Sequence, residues 1–65
     1  MTRILSKHVF DGVTDVDGSV LDREKKRYTL TRDVVGVTHI HQDVVVCLNG
    51  YRLSGKLIRE GIILV

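Results

Sequence analysis

Val44-Val45-Val46-Cys47-Leu48-Asn49-Gly50-Tyr51-Arg52-Leu53-Ser54-Gly55-Lys56-Leu57-Ile58 is the stretch whose reading decides the fold. Two runs rich in apolar residues flank Asn49-Gly50. Both turn residues tolerate a positive φ, and such a pair between apolar runs is the strongest short-range hairpin signal. A two-residue loop pairs Leu48 with Tyr51, Val46 with Leu53 and Val44 with Gly55. These six then share one face with Leu57, while Val45, Cys47, Arg52, Ser54 and Lys56 share the other. That division is what a half-buried antiparallel pair requires.

Downstream, Arg59-Glu60-Gly61 reads as a three-residue turn that pairs Ile58 with Ile62. Ile63 and Val65 join Leu57 on the core face, and Ile58, Ile62 and Leu64 point the other way. Upstream, residues 28–34 alternate, and 33–36 read as a turn or bend. Residues 37–42 are extended towards Val44, with a bulge at Asp43, and 3–10 read as a strand. Asp17-Gly18 is a second hairpin signal, between 13–16 and 19–21. Ser19 with Asp22 is a near capping box, so a short helix over 20–27 competes there with a loop or strand. No internal repeat stands out. The expected fold is all-β: a small antiparallel meander of five or six strands, closing into a small barrel or a strongly bent sheet.

The scale fits. The 65 residues make a single small domain, residues 1–65, with 43% hydrophobic and 28% charged residues, which is globular composition. One cysteine excludes an internal disulfide framework and a Cys-rich zinc site. No run approaches a membrane span, and residues 1–10 lack the apolar core of a signal peptide, so the expectation is a cytoplasmic chain without a membrane partner. The charge is uneven: residues 1–22 carry −2 and residues 23–65 carry +4. The densest run is Arg23-Glu24-Lys25-Lys26-Arg27, a solvated segment or a contact for phosphates or an acidic protein surface.

The stretch from Val44 to Leu57, with Ile62-Ile63-Leu64-Val65 after it, resembles the Sm-like family of small barrels, including the Hfq-type rings. There too an alternating strand ends at Asn-Gly or Asp-Gly, and a hydrophobic, a Gly and a hydrophobic follow. The resemblance implies a bent five-stranded SH3/Sm-like barrel, a ring oligomer and RNA binding. It covers residues 44–65; the family's second motif has no counterpart here, so no RNA-contacting residue carries over.

Three arrangements bear on chemistry. Residues 13–24 match a calcium loop at Asp15, Asp17, Gly18, Val20 and Glu24, but Val13 stands where the first carboxylate belongs. A plain Asp-Gly turn accounts for the same residues. His39 and His41 share a strand face about 6.6 Å apart, a spacing open to a transition metal if a third ligand joins them. Asp43 continues that row. Cys47 faces Arg52 in the hairpin register, where a cation would favour the thiolate, but no general base stands beside it. No phosphate loop or triad order is present. The expectation is a non-enzyme without catalytic residues, cofactor or metal.

Two functions remain. One is a small regulatory or inhibitory protein-interaction module, of the kind carried by a phage or mobile element, acting on a host or cellular protein. Its interaction residues are Ile58, Ile62 and Leu64, which have no intramolecular partner in this register. The same face predicts a homo-oligomer, with a dimer favoured, because three such side chains in water forgo about 1.5–3 kcal/mol each. The alternative is a nucleic-acid-binding barrel that uses Arg23, Lys25, Lys26 and Arg27 on RNA.

Overall fold

The computed structural model describes residues 6–65. The first part of the expected 3–10 strand lies outside these residues. The described chain is all-β, with nine short strands: β1 (Lys7–Phe10), β2 (Ser19–Asp22), β3 (Arg27–Leu30), β4 (Val34–Val35), β5 (Val37–Ile40), β6 (Val45–Cys47), β7 (Leu53–Ser54), β8 (Leu57–Arg59) and β9 (Ile62–Leu64). They form three sheets, in the orders β1-β5-β8, β2-β3-β6-β9 and β4-β7.

Five of the six strand pairings are parallel. Parallel neighbours cannot be joined by a tight turn, so the chain must travel round before it returns. Here it returns after visiting the other two sheets. β1, β3 and β4 form a first coil, β5, β6 and β7 a second, and β8 with β9 begin a third. Thr38 lies beside Leu57, Val34 beside Leu53 and Arg27 beside Val45, so the coil length is 18 to 19 residues at these points. The architecture is a β-solenoid, in which each coil buries its inner side chains against its neighbours. Its Cα extents are 41 × 22 × 17 Å.

The expected antiparallel meander is therefore corrected, and no closed barrel forms among the described residues. The turn at Asn49-Gly50 exists: both residues have positive φ, 52° and 82°, and Tyr51 N donates to Leu48 O at 2.9 Å. Its flanks do not pair with each other. Val46 sits between Tyr28 and Ile63, and Leu53 beside Val34. The turn is a corner of the coil. Arg59-Glu60-Gly61 is likewise a corner, because β8 and β9 belong to different sheets and Ile58 pairs with His39, not with Ile62.

No helix forms over 20–27. β2 and β3 make an antiparallel hairpin with residues 23–26 as its loop, and it is the only antiparallel pair among the described strands. Local chemistry explains the outcome. Asp22 Oδ1 accepts from Lys25 N, Lys26 takes a positive φ of 50°, and Tyr28 is needed in the core. The Asp17-Gly18 turn also forms, with Ser19 N donating to Val16 O, but residues 13–16 are not a strand.

The core is a set of inward columns. Phe10 stacks on Ile40, Tyr28 on Val46 and then Ile63, and Val34 on Leu53. Phe10, Tyr28, Leu30, Ile40, Val44 and Val46 are fully buried. Phe10 and Tyr28 meet edge to face at 4.7 Å. The Tyr28 hydroxyl accepts from Gly12 N at 3.1 Å and donates to Thr14 O at 2.7 Å, which ties the residue 11–14 loop to the core. Burial falls away along the stack: Leu57 and Ile63, inward in the third coil, are exposed and half-buried because no coil among the described residues lies below them.

Candidate functional site

The open end of the third coil is built by alternation. In a parallel ladder, a strand residue directs its N–H and C=O to one neighbour and the next residue directs them to the other. Thr38 N donates to Lys56 O at 2.8 Å and Glu60 N to Ile40 O at 2.9 Å, so these residues serve β5. Leu57 and Arg59, between them, direct their amides and carbonyls to the free edge. Ile62 N donates to Val44 O, and Leu48 N to Leu64 O, each at 2.9 Å, which leaves Ile63 facing the free edge of β9. β8 and β9 are terminal in their sheets.

Side chains follow the same rule. Ile58 lies under His39 on the outer face, Ile62 under Val45 and Leu64 under Cys47. The three are 41%, 54% and 42% exposed. The outward set expected from sequence is thus outward in the structure, although the hairpin that predicted it is absent. Period two assigns faces in either topology. β1 does not cover this set, because it pairs with β5 on the side away from β8.

The basic run forms the tip of the β2–β3 hairpin. Arg23 is bound to Asp15, with Nη2 to Oδ1 at 2.9 Å, and its Nε donates to Val13 O. Lys25, Lys26 and Arg27 are exposed. The aliphatic stem of Lys26 packs over Gly12.

The residues of the calcium-like loop are dispersed. Asp15 pairs with Arg23 and Asp17 with Arg32, while Glu24 is at the hairpin tip. His39 and His41 do meet, with ring centroids 4.7 Å apart. The acid paired with His39 is Glu60, its Oε2 3.6 Å from His39 Nε2, while Asp43 stands at a corner with φ 67°. Among the described residues no three His, Cys, Asp or Glu side chains converge to hold a metal ion. Cys47 is flanked by Thr29 and Leu64, and the pairing with Arg52 does not occur. Two shallow clefts of about 290 and 370 Å³ flank the first coil. The first holds the Arg32–Asp17 pair with His8 and Asp33. No helix among the described residues is long and apolar enough to cross a membrane.

Sequence reading missed Gly36 and Gly55, one coil apart. A Cβ on Gly36 would lie 2.2 Å from Ser6 O, and one on Gly55 would lie 2.3 Å from Gly36 O. These glycines let consecutive coils approach at a corner. A signal exists. Val34-Val35-Gly36-Val37-Thr38-His39-Ile40 and Leu53-Ser54-Gly55-Lys56-Leu57-Ile58-Arg59 align at 19 residues with glycine in the same place. No family model, curated protein or solved structure matches the chain.

Proposed function

We propose that the chain is a non-enzymatic protein-interaction module, regulatory or inhibitory in kind, that docks partners on the open end of its last coil. One observation carries this reading: two terminal strands with free backbone groups stand beside exposed Ile58, Ile62 and Leu64 on the same coil. Such an edge offers main-chain hydrogen bonds for affinity and apolar side chains for specificity. Lys or Pro within the strand often blunts an edge of this kind, and the three residues of β9 include neither.

The nucleic-acid reading has one feature in its favour, the exposed hairpin tip at Lys25, Lys26 and Arg27. Arg23, bound to Asp15, contributes less to it. A paired capture experiment tests both. Immobilised chain is compared with Ile62→Lys/Leu64→Lys and with Lys25→Glu/Lys26→Glu/Arg27→Glu, each with and without nuclease. The module reading expects capture that nuclease and tip reversal leave intact and that the edge variant abolishes. Capture lost with nuclease and with tip reversal, and kept by the edge variant, overturns it.

A further inference from the structure

We propose that the partner seated on the open coil is a second copy of this chain, joined through β8 about a two-fold axis at Ile58, with Lys56 of each copy set against Glu60 of the other. This rests on the reading of the last coil as the working surface and commits it to one occupant.

Stacking end to end meets an obstacle. At the opposite end of the second sheet the end strand is β2, which runs antiparallel to β3 and so cannot offer β9 of another copy the parallel pairing that joins the coils. A two-fold contact uses the same edge twice and needs nothing from that end. It brings β8 against β8 in antiparallel sense, and geometry then limits the register. The inner side of one solenoid must continue the inner side of the other. Directly opposite residues must therefore share a face, and only registers centred on a residue satisfy this. Within β8 the centre is Leu57, Ile58 or Arg59.

Charge chooses among them. A centre at Arg59 sets two arginines face to face, and like charges directly opposite are destabilising. A centre at Leu57 sets Lys56 against Ile58, a charge against an apolar side chain. A centre at Ile58 sets Lys56 against Glu60 at both ends of an Ile58–Ile58 contact on the outer face. On the inner face it sets Leu57 against the stem of Arg59. The backbone agrees with this register. Leu57 and Arg59 are the residues whose amides and carbonyls face the edge, because Lys56 O and Glu60 N are committed to Thr38 and Ile40. Placed opposite each other, they exchange both hydrogen bonds, as an antiparallel hydrogen-bonded pair does. Glu60 is already on the outer face, where its carboxylate approaches His39.

A charge-swap cycle tests the proposal by sedimentation at low salt, with circular dichroism to confirm folding. The parent is expected to sediment at twice the mass of one chain. Lys56→Glu places acids opposite acids and should weaken association by about tenfold or more. Lys56→Glu/Glu60→Lys restores opposite signs and should recover association to near the parent value. A parent that stays monomeric at roughly 100 μM overturns self-association; the wider interaction reading then stands or falls by its own capture experiment. A dimer indifferent to Lys56→Glu, or a double variant no better than the single one, overturns the β8 register.

Discussion

Three side chains show how single residues hold this stack and where they strain it. Asp11 organises its loop: its carboxylate accepts from the amides of Thr14 and Val13 at 2.8 and 2.9 Å and from the Thr14 hydroxyl. The Thr14 and Val13 amides hold the carboxyl below the ordinary Asp range. The unfolded chain therefore binds more protons here than the folded one in acid. The contribution is full above the ordinary Asp value of about 3.9 and is lost as pH falls through the lowered one. The difference in Tm between the parent and Asp11→Asn should be widest at neutral pH and narrow as pH falls below the ordinary Asp range. A gap that stays constant with pH contradicts this role. Tyr28 is the counterpart inside the core, where burial pushes its phenol upward and both hydroxyl bonds are satisfied. Thr38 is the opposite case: its hydroxyl is buried without a hydrogen-bond partner. Thr38→Val keeps the shape and removes the orphan, so thermal unfolding should shift up by a few degrees, about 1 kcal/mol. A lower Tm would mean that the hydroxyl has a partner.

At the scale of elements, the corners carry the fold. Gly50 has φ +82° and nothing within 4 Å of a built Cβ, so Gly50→Ala costs only backbone strain, about 1 kcal/mol. Gly55 has φ +99° and its Cβ would meet the Gly36 carbonyl oxygen at 2.3 Å. Backbone cannot swing aside as a side chain can, so Gly55→Ala should cost several times more than Gly50→Ala in a urea titration. Equal losses would remove the close coil approach from the account. The same contrast explains what the sequence made legible. Alternation assigned Ile58, Ile62 and Leu64 outward and Leu57 and Ile63 inward, and the Asn49-Gly50 turn was readable from its two residues. Pairing was not readable from them. A turn with positive φ at both positions serves a hairpin or a coil corner, and what separates the two is whether strands 19 residues apart can stack. That decision rests on Gly36 and Gly55, on Asp33 accepting from Arg52 N, and on Asn49 Nδ2 donating to Leu30 O. These contacts run between coils, so no short window displays them. The helix option over 20–27 lost to the same long-range demand, through Tyr28.

For the whole molecule, the consequence of coiling is that the two ends differ. One end of the second sheet carries the antiparallel strand β2, and the other ends on β9, parallel to its neighbour. A solenoid coil stabilises mainly through its neighbours, and among the described residues the last coil has one neighbour where the middle coil has two. The same coil holds the surface assigned to partners. Amide hydrogen exchange, read residue by residue at low and high protein concentration, tests this most directly. In the isolated chain Glu60 and Ile62, whose amides donate to Ile40 O and Val44 O, should be protected, and Leu57, Arg59 and Ile63 should exchange fast. At high concentration Leu57 and Arg59 should become protected as their edge is taken up. Fast exchange at Leu57 and Arg59 at every concentration, or strong protection of Leu53, whose amide faces away from β4 here and would be bonded in a hairpin with Val46, would contradict the account.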